Sequence, residues 1–374
     1  MLVPFQAPFG HESPLTPVAV GKSASKGRAD APPVRFGIYP GGSMGSVNQT
    51  REPLPEDPAK RLAAVRRLSL GLPFVVHLYR SYYGGGRSQA RDRGLDGEIR
   101  GYTDAGIKVE LVARYRPESG SAAAVAGFQK YVRALVGRYG SNPGFIGLQV
   151  TNEANLRGAP DASDGAYAGA RRALVRGVLA AARETRVRDA SQIEIGFNWA
   201  WESDRKNRRK FWSGLGRRTG SKFRRAVDWI GVNSYPGTWA PLLAGAGPRH
   251  RRASRTLIAH IRALRKRLMP RAGLGSRIPI HIAENGWPTG RGRSELAQAR
   301  ILKAMVRSVV RARRRLNISD YRWFDLRDGN SSDPNFEGRY GLTDDRYRPK
   351  PAYATFRGRI ARQHGLTLSR ARSR

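Results

Sequence analysis

Short apolar runs alternate along this chain with longer segments whose apolar residues recur at helical spacing. The short runs are rich in valine, isoleucine and aromatic residues, and eight of them predict β-strands. These runs cover residues 34–39, 73–79, 107–113, 145–150, 193–198, 229–233, 278–283 and 321–324. Because strands and helices alternate, the pattern predicts parallel strands joined by helical crossovers.

The intervening segments carry recognisable helix signals. Asp57 followed by Pro58 is a favourable N-cap and first-turn pair, which predicts a helix start after the first strand. Later segments repeat apolar residues three or four positions apart, as a helix with one buried face requires. We expect helices around residues 128–136, 171–184, 256–268 and 301–310, and a final helix that begins near Tyr353.

Eight strand-then-helix units predict an α/β fold of the (β/α)₈ TIM-barrel type. The connections after the fifth, sixth and eighth strands, at residues 200–220, 236–250 and 326–341, are long and are expected to be irregular. Loops in these places lie at the catalytic mouth of such a barrel. A doubly wound sheet is the structural alternative, but the turn after the first strand lacks a GxGxxG fingerprint and the sequence contains no P-loop motif.

The pattern predicts one folded domain at residues 34–363, with a loose leader at 1–33 and a basic tail at 364–374. The leader has no lysine or arginine before Lys22 and no continuous apolar run, so it does not resemble a signal peptide. No run approaches the roughly 18 apolar residues that a membrane span needs. We expect a monomer without a membrane span, and the location stays open, with an extracellular one favoured.

The charge balance is strongly basic. The 374 residues include 68 Lys+Arg, of which 57 are arginines, against 29 Asp+Glu, for a net charge of +39. Such a field attracts anions, including nucleic acids and acidic polysaccharides. The basic residues are spread along the chain, however, which favours a general preference for arginine on solvated helix faces. No recognisable DNA- or RNA-binding motif accompanies the charge, so no specific nucleic-acid partner is expected.

The sequence contains no cysteine, which excludes disulfides, thiolate metal sites and cysteine nucleophiles. Its six histidines lack the paired spacing of His-x-His or HExxH metal sites. We therefore expect neither a metal nor another cofactor.

Two of the apolar runs lead directly into glutamates. The string VTNE at residues 150–153 ends in Glu153, and the string HIAEN at residues 281–285 contains Glu284. The C-terminal ends of barrel strands meet at one mouth, so we expect both carboxyl groups to lie there. Two such groups can act as the acid/base and the nucleophile of glycosidic-bond cleavage. The alternative for either glutamate alone is a strand-end residue paired with an arginine.

These strings resemble the catalytic segments of the clan A glycoside hydrolases, including cellulase and glucanase members of families 5 and 17. The similar segments are Asn152-Glu153 and ENGWP at residues 284–288, together with an ending at residues 340–353 that contains YGLTDD and YRPKPAY. The resemblance implies a retaining (β/α)₈ enzyme in which Glu153 is the acid/base and Glu284 the nucleophile. It also implies that Asn152 donates a hydrogen bond to the sugar 2-hydroxyl.

Further residues near strand ends would bind substrate. Tyr235 is similar to the tyrosine or histidine that hydrogen-bonds the nucleophile, with a turn aromatic as the alternative. Trp323 would be the sugar-stacking platform, with a barrel-core tryptophan as the alternative. His77 could bind a hydroxyl or be a hydrogen-bonded barrel residue. The remaining candidates at strand ends are Asn198, Trp201, Trp287, Tyr39, Arg80 and Asp325.

The sequence therefore predicts an O-glycosyl hydrolase that cleaves β-linked oligo- or polysaccharides by double displacement. An arginine-lined cleft would suit an anionic glycan. A non-catalytic barrel that binds carbohydrate or an anionic surface is the alternative, because a fold alone does not establish activity. The residues do not fix the sugar, the linkage, or endo against exo action.

Overall fold

The computed structural model of the protein describes residues 32–42, 50–84 and 94–368. The predicted leader lies outside the described residues apart from Pro32 and Pro33, and the predicted tail lies outside them from residue 369. Across the described part of the chain, each helix is too short or too polar to cross a lipid bilayer.

Eight parallel strands close into a barrel in chain order, and β1 pairs with both β2 and β8. The strands are β1 Arg35–Ile38, β2 Phe74–Tyr82, β3 Lys108–Tyr115, β4 Phe145–Val150, β5 Glu194–Ala200, β6 Trp229–Asn233, β7 Ile280–Asn285 and β8 Ile318–Trp323. Each of the eight predicted runs overlaps one strand. The closed parallel barrel confirms the predicted (β/α)₈ fold and excludes the doubly wound sheet.

Nine α-helices lie in the described part of the chain. They are α1 Pro58–Ser69, α2 Leu95–Asp104, α3 Ala122–Tyr139, α4 Ala170–Val187, α5 Arg205–Arg218, α6 Ser221–Arg225, α7 Arg249–Ala263, α8 Glu295–Leu316 and α9 Pro351–Gln363. Asp57 caps α1 as predicted, because its side chain accepts a hydrogen bond from the backbone N–H of Lys60. The apolar faces of the helices, such as Leu302 and Val306 of α8, pack into the core around the barrel.

The connection after β5 is not the irregular loop that the sequence predicted over residues 200–220. It contains α5, and Asp204 caps this helix by accepting hydrogen bonds from two backbone N–H groups of the first turn. Seven of the 14 helical residues are basic, and the buried strip is narrow, with Phe211, Trp212 and Leu215 at its centre. The prediction was wrong because this strip is too short to stand out from the charged residues around it.

The other two long connections are irregular, as predicted, up to the start of α7 and apart from a 3₁₀ turn at Phe336–Gly338. Helix α2, between β2 and β3, was not predicted. Its buried residues are only Leu95, Ile99 and Tyr102, which is again a narrow apolar strip.

A layer of charged side chains crosses the barrel interior. Asp320 on β8 accepts hydrogen bonds from Arg35 at 2.6 Å and from Arg322 at 2.7 Å, and it lies 3.1 Å from His281 Nε2. Burial acts to raise the pKa of Asp320, but His281, Arg322 and Arg35 together hold that pKa below its usual range. Asp320 is therefore an ionised centre that neutralises cations inside the barrel.

Replacing Asp320 by asparagine is expected to destabilise the fold by about 3 to 5 kcal/mol, because it leaves the buried Arg322 short of a counter-charge. Urea unfolding followed by circular dichroism measures the change. Glu184→Gln is the control, since its partner Arg188 is mostly exposed and such a helical pair contributes about 0.5 kcal/mol or less. Equal shifts in the two variants would contradict a stabilising role for the charged layer.

Candidate active site

Glu153 and Glu284 reach the barrel mouth from two separate strands. Glu284 lies in β7, and Glu153 lies three residues beyond the end of β4. Each residue is 7% exposed. The two carboxyl groups are close enough that the negative charge of Glu284 acts on Glu153. The fold thus brings together the two carboxyl groups that the sequence singled out.

Two tyrosine hydroxyls bind the carboxylate of Glu284. Tyr79 on β2 donates to Oε1 at 2.5 Å, and Tyr235, just after β6, donates to Oε2 at 2.7 Å. Burial, and then the charge of Glu284, raise the pKa of both phenols well above its usual value. Both tyrosines are therefore protonated donors at neutral pH, and hydroxyl donors of this kind stabilise a charged carboxylate.

Uncharged donors bind the carboxyl group of Glu153. Ser163 Oγ donates to Oε2 at 2.5 Å, and Asn233 Nδ2 donates to Oε1 at 2.8 Å. Burial, and then the charge of Glu284, raise the pKa of Glu153 to about 7, although the hydrogen bonds from Ser163 and Asn233 act to lower it. Glu153 can therefore both hold and release a proton near neutral pH, as general acid/base catalysis requires.

Asn198 holds the turn that presents Glu153. Its Oδ1 accepts from the backbone N–H of Glu153 at 2.7 Å, and its Nδ2 donates to Asn152 Oδ1 at 2.6 Å and to Asn233 Oδ1 at 3.1 Å. Thr151 and Glu153 have positive φ angles of 65° and 50°. Because this conformation costs energy in residues other than glycine, it persists only where the surroundings enforce it. Asn198 provides part of that enforcement.

Asp164 supports the same turn from the other side. Its carboxylate accepts from the backbone N–H groups of Asn152 and Tyr115 at 2.7 Å each, and from Arg114 Nε at 3.1 Å. The sequence reasoning missed Ser163 and Asp164, because they lie in an irregular segment that shows no periodicity.

Two further missed residues could have been found. Tyr79 lies near the end of β2 and Asn233 at the end of β6, so both occupy the strand-end positions that pointed to the glutamates. The sequence reasoning did not assign either residue a contact with the glutamates.

Tyr39 and Asp325 lie next to this group. The Tyr39 ring packs edge-on against Tyr79 and stacks on Phe324 at 4.9 Å. Asp325 is buried, and its Oδ1 has no hydrogen-bond partner among the described residues. Burial, and then the charge of Asp328, raise the pKa of Asp325 well above its usual value. Burial and the neighbouring negative charge therefore both favour the protonated form of the Asp325 carboxyl group.

The tryptophans predicted to bind sugar differ in how far their rings are covered. Trp323 and Trp287 are 0% and 1% exposed. Trp201 stacks on His260 with ring centroids 3.6 Å apart, and the guanidinium of Arg208 lies 4.4 Å from the same indole. Because the His260 ring covers one face of the Trp201 indole at this distance, the Arg208 guanidinium lies against the other face. Trp323 and Trp287 are therefore packing residues in this structure, while Trp201 is partly exposed and its contact with sugar stays a prediction.

His77 and Arg80 do not bind the Glu284 carboxylate, whereas Tyr79 on the same strand does. His77 Nδ1 lies 2.7 Å from Glu110 Oε1 in the charged layer, which matches the barrel-residue alternative. Arg80 follows Tyr79 along β2, so its side chain leaves from the opposite face of the strand. Contacts of His77 and Arg80 with substrate stay predictions.

Pairing with an arginine does not explain either glutamate. Among residues 32–42, 50–84 and 94–368, no arginine or lysine lies within ion-pair distance of the Glu153 or Glu284 carboxyl group. The site instead gives two carboxyl groups different neighbours, phenols for one and an amide and a hydroxyl for the other. Such a difference in environment is how neighbouring carboxyl groups acquire different roles.

No protein-family model matches this chain, and no curated protein matches its sequence. Solved structures do match its fold. GH5_18 from Streptomyces cattleya in complex with GlcNAc is similar with a TM-score of 0.62 and 17% identity, over 91% of this chain and 82% of that one. GH5_18 from Bifidobacterium longum subsp. longum ATCC 55813 has a TM-score of 0.59 and 15% identity, over 90% and 80% of the two chains.

The Family 1 β-glucosidase from Thermotoga maritima is also similar, with a TM-score of 0.58 and 13% identity, over 80% of this chain and 86% of that one. At such identities the likeness concerns the fold. At the level of the fold, the likeness confirms the resemblance that was based on the two glutamate strings. This chain therefore has the (β/α)₈ barrel fold of the clan A glycoside hydrolases.

Proposed function

We propose that this protein is a retaining glycoside hydrolase that cleaves β-linked O-glycosidic bonds of oligo- or polysaccharides. One observation carries the proposal: Glu284, held by two tyrosine hydroxyls, faces Glu153, whose pKa is about 7. One carboxyl group is thus equipped to attack and the other to give a proton. The likeness to solved glycoside hydrolases supports this assignment.

In the first step, a carboxylate oxygen of Glu284 attacks the anomeric carbon. The bond from that carbon to the glycosidic oxygen breaks, and Glu153 gives its proton to the departing oxygen. The products are an alcohol and a glycosyl ester on Glu284. Asn152 Nδ2 donates one hydrogen bond to the carbonyl of Ala162, and its second N–H is the proposed donor to the sugar 2-hydroxyl.

In the second step, the ionised Glu153 takes a proton from water. The water oxygen attacks the anomeric carbon, and the ester bond to Glu284 breaks. The sugar leaves with a new hydroxyl group, while Glu284 is again a carboxylate and Glu153 again carries a proton. Two inversions at one carbon give net retention of configuration.

Trp239 provides a sugar platform that the buried indoles of Trp287 and Trp323 do not. It lies in the connection after β6, is 52% exposed, and has its ring centroid 5.7 Å from that of Phe336 in the connection after β8. Tyr340 links this pair to the site, because its ring packs against Tyr235. An exposed indole at the mouth suits the apolar face of a pyranose.

Hydrolysis of a panel of aryl α- and β-glycosides and of neutral and acidic glycans tests the proposal. We expect hydrolysis of at least one β-glycoside, and proton NMR of the first-formed sugar should show the β-anomer. The Glu284→Gln variant, purified in the same way, shows that the activity belongs to this chain. Inversion of configuration, or no hydrolysis across the panel, would overturn the proposal.

Each of the two tyrosines that bind Glu284 is expected to contribute to catalysis. Tyr79→Phe and Tyr235→Phe each remove one donor from the carboxylate, so we expect kcat to fall about 10- to 100-fold, the value of one hydrogen bond to a charged group. Steady-state kinetics on an activated aryl glycoside measures the loss. Tyr353→Phe is the control, because its hydroxyl binds the carbonyl of Ala64 on α1, outside the site. A comparable loss in the control would show that the effect is general destabilisation.

A further inference from the structure

A basic groove lies on the outer wall of the barrel, between α5 and the segment that follows α7. Its volume is about 690 Å³. Six of its nine lining residues are cationic and none is acidic. The cationic residues are Arg205, Arg208, Arg209, Lys266, Arg267 and Arg271. Neither catalytic glutamate lines the groove, so it is a surface separate from the mouth.

An irregular helical segment builds one wall of this groove. Helix α7 continues beyond Ala263 as a π-helical turn, Leu264–Leu268, and then as a 3₁₀ turn, Met269–Ala272. Arg265 anchors the segment from within, because its guanidinium donates to several backbone carbonyls, including that of Ile278 at 2.7 Å. Its neighbours Lys266 and Arg267 remain exposed. Single π turns inside helices are frequent at functional sites.

The cations of the groove outnumber the carboxylates near them. Within the described residues, no carboxylate forms an ion pair with any of the six lining cations. Burial, and then the charges of Arg267 and Arg205, lower the pKa of Arg208. The charges of Glu202 and Asp204 oppose this effect only in part. A bound anion would relieve the mutual repulsion, so the groove favours a negatively charged ligand.

We propose that this groove binds an anionic polysaccharide through its carboxylate or sulfate groups, as a second glycan site outside the catalytic mouth. The choice of a glycan rests on the proposed function. Single-stranded nucleic acid needs aromatic rings on which bases stack. The nearest indole, Trp201, has one face against His260 and the other against Arg208, so it offers none.

The groove is also connected to the catalytic turn. Arg208 donates to the backbone carbonyl of Ser203 at 2.8 Å and to that of Glu202. The Glu202 carboxylate in turn accepts from Asn155 Nδ2 at 2.8 Å, and Asn155 lies two residues after Glu153. A glycan held in the groove is therefore tethered beside the mouth, which raises the local concentration of chain ends or internal bonds there.

The test compares two fourfold variants with the same change of charge. One replaces Arg209, Lys266, Arg267 and Arg271 by glutamine. The control replaces Arg300, Lys303, Arg307 and Arg311 of α8 by glutamine. All eight side chains are exposed, and each set removes three arginines and one lysine. Both are made in the Glu284→Gln background, so that binding is measured without hydrolysis.

Affinity for heparin, polygalacturonate, neutral dextran and single-stranded DNA is measured by calorimetry at low and at physiological salt. We expect the groove variant to lose about 10- to 30-fold in affinity for heparin or polygalacturonate, the sum of four modest surface ion pairs. The α8 variant should lose less than about threefold. Heparin carries both sulfate and carboxylate groups and polygalacturonate only carboxylates, so binding of heparin alone would identify sulfate as the recognised group.

Equal losses in the two variants would overturn the proposal, because binding would then follow net charge alone. Tighter binding of DNA than of either acidic glycan, lost in the groove variant, would also overturn it in favour of a nucleic-acid site. The Lys266→Gln, Arg267→Gln double variant guards against misfolding, since both changes lie on one exposed turn, and we expect it to lose about threefold. Binding of an acidic glycan without glycosidase activity in the unmodified chain would contradict the proposed function only.

Discussion

Glu284→Gln is expected to lower kcat by about four to six orders of magnitude, the scale on which removal of a nucleophile acts. The amide has nearly the shape of the carboxylate, so the mouth should keep its form. It carries no negative charge and is a poor nucleophile toward the anomeric carbon. It can also no longer accept from both Tyr79 and Tyr235 with two equivalent oxygens.

Covalent trapping provides the direct measurement. A 2-deoxy-2-fluoro glycoside with a good leaving group forms the ester but releases it slowly, so mass spectrometry should find one glycosyl unit on the peptide that contains Glu284. The Glu284→Gln variant should gain no mass. Glu202→Gln is the matched control, because it makes the same charge change at a half-buried carboxylate near the mouth. Labelling of a different residue, or wild-type activity in Glu284→Gln, would show that another group attacks.

The sequence predicted the barrel well because each strand has a recognisable local run of apolar residues. Runs such as residues 145–150 are mostly apolar on both faces, as is usual for strands in a fully covered parallel sheet. Helices with broad apolar faces, such as α8, were equally visible. The misses, α2 and α5, are helices whose stability comes from a few buried contacts made by distant segments. Tertiary packing decides such elements, and local periodicity does not record it.

The residues of the candidate site also divide into those that the sequence predicted and those that it missed. Glu153, Glu284 and Tyr235 stand at strand ends, and the barrel topology converts that position into proximity. Ser163 and Asp164 reach the site only because an irregular turn folds back, so their contacts depend on loop geometry. The ring of Trp201 was expected to face sugar, but His260, which stacks on it, comes from α7, far along the chain.

The basic groove could not have been predicted from the number of charged residues in the sequence. Arginines are spread along the sequence, and this spread favoured a solvated surface without a partner. Folding nevertheless packs Arg205–Arg218 beside residues 264–272, so that six cations from two distant segments line one concavity. Local density after folding, and not the net charge of +39, motivates the proposed glycan site.

Glu153→Gln is expected to slow cleavage of poor leaving groups by about 10²- to 10⁴-fold, the usual contribution of general acid catalysis. An activated dinitrophenyl glycoside should suffer much less in the first step, because its leaving oxygen needs no proton. Azide added to the variant should then react with the glycosyl ester without a general base and yield a β-glycosyl azide. An equal loss for good and poor leaving groups would indicate that Glu153 is not the acid.

The pH dependence of kcat/KM should also report the protonation of Glu153. Glu153 must be protonated in the first step, so kcat/KM for a poor leaving group is expected to fall as the pH rises through about 7, and Glu153→Gln should remove that descending limb.

Burial is the larger cause of the raised pKa of Glu153, and the charge of Glu284 is the second. When Glu284 becomes an ester, its charge disappears, so the pKa of Glu153 must fall just as its role changes from acid to base. Carbon-13 NMR of labelled Glu153 in the free and the fluoroglycosyl-trapped protein measures this change, and an unchanged pKa on trapping would contradict the coupling of the two carboxyl groups.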